Sequence, residues 1–121
     1  MSYIENSENP IADLSFGFAV RMIRFYKFLT EKKKIYVLSK QILRSGTSIG
    51  ANVHESIHAQ SKADFISKMN IALKEADETE YWLRLLYASD SISKDEFDSL
   101  EIDVKQIIGT LVKIIKASKE K

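Results

Sequence analysis

The chain has 121 residues, 45% of them apolar, with four Gly, one Pro, no Cys and a net charge of +1. That length and composition suit one domain with one core, and the lack of Cys excludes disulfides, thiolate nucleophiles, Cys-type zinc sites and iron–sulfur clusters, as suits a reducing compartment. No run of about twenty apolar residues could span a bilayer, and no basic start leads into an apolar leader, so the chain reads as soluble and cytoplasmic with no membrane partner.

Residues 1–8 are polar and aperiodic and are expected to form a flexible N-terminus, leaving residues 9–121 as a single domain. Asn9 followed by Pro10 is a cap plus a first-turn proline, so the first helix is expected over residues 10–31. Its apolar face is Ile11, Leu14, Phe18, Met22, Phe25 and Leu29, and the Glu-Lys-Lys-Lys run from Glu31 ends the pattern. A second helix is expected over about residues 35–59, with Leu38, Ile42, Ile49 and Val53 on one face. Its middle is small or polar: Ser45, Gly46, Thr47, Ser48, Gly50 and Ala51. A break is the alternative there, because Gly in a helix costs about 1 kcal/mol against Ala. The apolar register runs through unbroken, however, and Gly46 and Gly50 lie one turn apart, a spacing that admits another backbone closely.

Ser61 and Asp64 resemble a capping box that opens a third helix, whose seam is Phe65, Met69, Ala72, Ala76, Thr79, Leu83 and Leu86 at alternating spacings of four and three. The Ser-Asp-Ser-Ile-Ser turn from Ser89 closes it. Ser93 with Glu96 is a full capping box for a fourth helix with the seam Phe97, Leu100, Val104, Ile107, Leu111 and Ile114. Nothing reads as a strand. Four helices joined by short links predict an all-α fold, an antiparallel up-down-up-down four-helix bundle.

Two helices carry more apolar surface than one core needs. Ile71, Glu75, Glu78, Trp82 and Leu85 form a second stripe on the third helix, roughly 115° round from its seam, and Ile108, Val112 and Ile115 widen the fourth. Ile71, Trp82, Leu85, Ile108, Val112 and Ile115 are therefore the expected interface of a homo-oligomer. On the second helix Arg44, Ser48, Asn52 and Glu55 form a polar stripe. If the second and third helices are antiparallel neighbours, Arg44 comes within reach of Glu78, and these residues with Glu75 are expected to fix register rather than to catalyse.

Charge alternates along the chain. From Arg21 to Arg44 eight basic residues face Glu31 alone, a net +7; Glu75 to Asp103 carries −8; Val104 to Lys121 carries +4. One reading is solvated faces that pair between neighbouring helices or subunits, which would suit a protein-interaction scaffold without nucleic acid. The other is a basic face for RNA or DNA, with phosphate contacts from Arg21, Arg24, Lys27, Lys32, Lys33, Lys34 and Lys40 and no base-reading motif.

His54-Glu55-Ser56-Ile57-His58 matches H-E-x-x-H, in which two His on one helix face bind zinc and the Glu activates water, and Glu78 lies 20 residues on as a conceivable third ligand. The pattern has two free positions, and the chain offers no second lobe or edge strand to hold a peptide, so a zinc hydrolase is the least favoured reading. A di-metal carboxylate site needs paired Glu-x-x-His motifs on two helices, and only Glu55 to His58 supplies one. No enzyme activity, cofactor or metal is expected.

The run from Gln41 to Ser56 and the run from Asp64 to Leu83 resemble the bacterial four-helix-bundle proteins encoded in intervening sequences of 23S ribosomal RNA genes. The residues that carry the resemblance are Arg44, Ser48, Ile49, Ala51, Asn52 and Glu55, then Ala72, Glu75, Glu78, Thr79, Tyr81, Trp82 and Leu83. It spans nearly the whole chain and implies a non-enzymatic, ring-like homo-oligomer, usually a pentamer. The family is similar to the accessory protein of diversity-generating retroelements, a basic pentamer that binds nucleic acid and a reverse transcriptase, which implies such an enzyme as a partner. His54 and Ser56 depart from the small residues expected at those positions, so the zinc motif is not a shared family feature.

Overall fold

The computed structural model of the chain describes residues 9–120, so the expectation for residues 1–8 lies outside the described residues. Asn9 Oδ1 accepts a hydrogen bond from the Ala12 N–H at 3.1 Å, and Pro10 opens α1 (Pro10–Glu31). Here an orphan donor of the first turn is satisfied and the residue lacking an N–H sits where none is needed. The chain then turns through Lys34 in the left-handed region, φ 58°, which brings the Ile35 N–H back to the Leu29 carbonyl at 2.8 Å. α2 (Val37–Ile57) is one continuous helix, two residues shorter at each end than the apolar periodicity suggested: this reversal takes up Ile35 and Tyr36 at its start, and His58 and Ala59 turn out of it at its end, their N–H groups reaching the Glu55 and Ser56 carbonyls.

α3 (Lys62–Ala88) starts at Ser61, whose hydroxyl accepts from the Asp64 N–H at 3.0 Å. The box is only half made: the Asp64 carboxylate reaches the Gln60 N–H at 3.3 Å instead of that of Ser61. α3 ends with Asp90 left-handed at φ 60°, so that the Ser91 N–H reaches the Leu86 carbonyl and the Asp90 N–H that of Tyr87, a Schellman closure with Asp in the usual glycine position. α4 (Lys94–Lys119) opens with both halves of the Ser93–Glu96 box in place.

The helices pack in sequence, α1 on α2, α2 on α3 and α3 on α4, and α4 closes back on α1 along the loosest seam. This is the antiparallel up-down-up-down bundle that short links favour. Its core runs the length of the molecule through Met22, Leu29, Ile42, Ile49, Phe65, Met69, Leu83, Leu86, Ile107 and Leu111, all fully buried, each contributing about 1.5–3 kcal/mol of transfer free energy. Leu14 and Leu38 are only half-buried, and on α1 the small Ser15 is buried instead.

The small residues of α2 face α1 and α3. A Cβ on Gly46 would lie 2.7 Å from Met22 Sδ, and one on Gly50 would lie 3.2 Å from the Ser15 carbonyl oxygen, so glycine is what lets α1 come this close. On the other side the Ser45 and Thr79 hydroxyls form a buried hydrogen bond of 2.8 Å between α2 and α3. Ser56 is also buried, its hydroxyl donating to the Val53 carbonyl at 2.6 Å. On α4 the core face steps from Leu111 to Ile115, not to Ile114, which is half-buried.

Candidate nucleic-acid interface

The up-down topology brings the end of α1, the link to α2 and the start of α2 to one end of the bundle, together with the α3–α4 turn. Lys27, Lys32, Lys33, Lys34 and Lys40 are exposed at or near that end, and none of them makes an ion pair among the described residues. Lys33 Nζ stands 5.5 Å above the Phe28 ring, a cation–π contact that holds its ammonium beside an aromatic surface. The reversal at Lys34 is what fans three consecutive lysines around the link instead of along one helix face.

Two arginines expected in this group behave differently. Arg21 is a correction: its guanidinium is held 2.5 Å from the Asp103 carboxylate and also donates to the Ser99 hydroxyl at 2.9 Å, so it braces α1 against α4 and is not a free cation. The sign alternation along the chain was the available signal for that pair, and Asp103 and Ser99 were not singled out. Arg24, one turn on, makes no ion pair among the described residues and lines a groove of about 490 Å3 between α1 and α4, with Phe25, Phe28, Asp95, Ser99 and Leu100. The same end of the bundle carries Asp90 and Asp95, whereas Asp98 is paired with Lys94 at 2.6 Å and Glu96 is occupied in its cap.

Along the α2–α3 groove the expected polar stripe divides. Arg44 pairs with Glu78 and lies 3.4 Å from Glu75, and the Trp82 indole N–H donates to Glu78 at 3.1 Å, a cross-helix network of the kind that fixes register. Ser48 and Asn52 turn back on their own helix, donating to the Arg44 and Ser48 carbonyls, and Glu55 pairs with Lys68 at 3.2 Å. The expected apolar interface divides as well. Ile71, Trp82 and Leu85 belong to the side of α3 that carries the Arg44 network, while Ile108 and Val112 share the side of α4 that carries Glu101 and Lys105, towards α3. Ile115 is a correction: it is 7% exposed and belongs to the core, one helical turn on from the buried Leu111.

The His54 and His58 rings lie 5.7 Å apart, edge to face, on exposed helix surface. Glu55 is directed to Lys68, and Glu78 is bound to Arg44, about 20 Å further along the bundle at 1.5 Å per residue. Among the described residues no group of three His, Asp or Glu converges on one point.

A polar cluster that sequence reasoning did not single out lies between α3 and α4. Glu80 faces Glu101, and Lys105 Nζ reaches Glu80 at 3.2 Å and Glu101 at 3.6 Å. Both Glu101 carboxyl oxygens are buried and accept no hydrogen bond among the described residues, so Glu101 finds a partner only when protonated, as the donor to Glu80. Burial first, and then the adjoining Glu80 carboxyl, push the Glu101 carboxyl up to about 7. Glu80 is held below the usual carboxylate range, chiefly by the hydrogen bond from Glu101, so one proton is shared by the pair.

No helix among the described residues is long and apolar enough to cross a membrane. Residues 7–113 match the family described as 23S rRNA-intervening sequence protein. In three dimensions the chain is similar to a crystal structure at 1.70 Å of a protein of unknown function from the S23 ribosomal protein family of Bacteroides thetaiotaomicron VPI-5482. The two are 55% identical, superpose with a TM-score of 0.86, and share 88% of this chain and 95% of that one. Among curated proteins none matches. With nearly the whole bundle covered by the match, this chain belongs to the 23S rRNA-intervening sequence protein family.

Proposed function

We propose that this protein is a non-enzymatic homo-oligomer, a pentamer on the family resemblance, that binds RNA or DNA largely independently of sequence through the lysine-bearing end of its bundle. The observation that supports this is the group Lys27, Lys32, Lys33, Lys34 and Lys40, exposed and without an ion pair among the described residues, in a chain whose net charge is only +1. A chain that leaves five cations unpaired at one end presents a local positive potential despite its near-neutral total. Repetition in a ring multiplies it. Self-association is supported by large apolar side chains left in solvent: Phe16 is 72% exposed and Ile102 68%. A nucleic-acid enzyme such as a reverse transcriptase is a further partner consistent with this role.

The competing account is a protein-interaction scaffold, which the acidic α3–α4 turn favours: Asp90 and Asp95, also free of ion pairs among the described residues, are a match for a neighbouring subunit's lysines. A filter-binding titration at low salt with structured RNA and with duplex DNA decides between them. Binding to either below about 10 µM is expected, since nonspecific electrostatic binding is already about 1–100 µM at physiological salt. Absence of binding to both at that concentration would leave the scaffold as the better account.

A further inference from the structure

The α1–α4 seam, the loosest of the four, widens near the lysine-bearing end into the groove of about 490 Å3 described above. Its size falls within the range of about 300–1,000 Å3 typical of small-molecule sites. Its chemistry is divided in an informative way. Phe25 and Phe28 lie nearly parallel, 20° apart with centroids at 6.3 Å, Phe25 as buried floor and Phe28 half-buried. Arg24 and Asp95 line the groove without an ion pair among the described residues, and Arg21, paired with Asp103, forms one wall. Carboxylates thus lie along the groove, while the Lys33 ammonium lies over Phe28 at its edge, beside the link that carries Lys32 and Lys34.

A ligand that suits this distribution has a flat, uncharged, hydrogen-bonding part for the groove and an anionic part that stays outside. Phosphate is repelled from the interior by Asp95 and Glu96 and attracted by the lysines. A base that stacks on Phe28 displaces the Lys33 ammonium from the ring and leaves it facing the adjoining phosphate. Exocyclic amino groups have Asp95 as acceptor, and ring or carbonyl acceptors have Arg24 as donor. Aromatic faces beside cations are how single-stranded nucleic acid is held without sequence readout. On the reading of the preceding subsection, we propose that the α1–α4 groove receives an unpaired base of single-stranded nucleic acid, stacked on Phe28, with its phosphates on the lysine-bearing end. Bases in a duplex are already stacked and cannot enter, so the protein distinguishes single from double strands.

The test compares, by fluorescence anisotropy at low salt, a labelled pyrimidine oligonucleotide, an abasic oligomer of equal length and the corresponding duplex. Stacking is worth about 1–3 kcal/mol per base, so the wild type should bind the oligonucleotide about 5- to 150-fold more tightly than the abasic strand. Phe28→Leu keeps the apolar bulk while removing the aromatic face; it should abolish that preference, so that the variant binds the two strands alike, and Phe28→Tyr should restore the preference. Equal affinity of the wild type for both strands would overturn the stacking site and leave electrostatic binding standing. Full preference retained by Phe28→Leu would equally overturn it. Binding to none of the three would overturn this proposal and the nucleic-acid function together.

Discussion

Four glycines in one helical protein do two different jobs. Gly46 and Gly50 stand where α1 presses on α2, whereas a Cβ on Gly17 or Gly109 would meet nothing within 4 Å. The consequence is a pair of opposite effects. Gly109→Ala should stabilise the protein by about 1 kcal/mol through helix propensity alone. Gly46→Ala gains the same propensity but drives a methyl into the fully buried Met22, and should cost about 1–3 kcal/mol net. Urea denaturation of the two variants checks this; equal stabilisation by both would mean that α1 and α2 are not in close contact. The one-turn spacing of Gly46 and Gly50 was legible in sequence as a place of close approach, but not which partner approaches. Nothing local distinguishes a neighbouring helix from a neighbouring subunit. Arg21 illustrates the same limit: its membership of a basic run was plain, while its commitment to Asp103, 82 positions away, is a product of α4 closing on α1.

At the scale of the helix, starts and stops were readable because they are written in short-range chemistry. Asn9-Pro10, Ser61 and Ser93 each cap the helix they were expected to cap. The α3 and α4 seams also followed the alternation of threes and fours until Ile115, where the path of the core rather than the period decided. What was not readable is the carboxyl pair between α3 and α4, since Glu80 and Glu101 meet only once the helices are in register. That pair gives the fold a pH dependence. The folded Glu101 carboxyl holds its proton up to about 7, whereas in the unfolded chain it loses it near 4.5. Between those values the folded state binds the extra proton, so stability falls as pH rises across the window. Glu80, whose carboxyl is lowered, contributes in the opposite sense, with stability present above its ordinary value and lost as pH falls below it. Thermal melts of the wild type should therefore decline from pH 5 to pH 7.5, a window set by those two values. Glu101→Gln should be nearly flat over the same range and the more stable protein at the upper end. A wild-type melting temperature that rises across this range would contradict a shared proton.

For the whole molecule, the bundle itself was legible from periodicity and loop length, and the family from the residues of α2 and α3. Of the residues expected at the interface, Ile71, Trp82 and Leu85 lie on the side of α3 that carries the Arg44 network and Ile108 and Val112 on the side of α4 that carries Glu101 and Lys105, while the most exposed apolar residues of α1 and α4 are Phe16 and Ile102. Because Phe16 contributes nothing to the core, Phe16→Glu should leave helicity and melting unchanged and, if α1 meets a neighbour, shift the protein towards smaller species in sedimentation. A wild type that sediments as a monomer at micromolar concentration would remove the ring altogether. Assembly matters because it sets how many lysine-bearing ends one polyanion can touch. Each neutralised phosphate releases condensed counterions, so log affinity should fall linearly with log salt, by about a thousandfold between 50 and 200 mM for roughly six contacts. The decisive measurement is that salt titration, with structured RNA, on the wild type and on the variant carrying Lys32→Gln, Lys33→Gln and Lys34→Gln together. The account predicts a steep slope that becomes shallower by up to about three in the triple variant, with affinity lowered alike for every sequence; a slope unchanged by the three substitutions would place the nucleic acid elsewhere and contradict it.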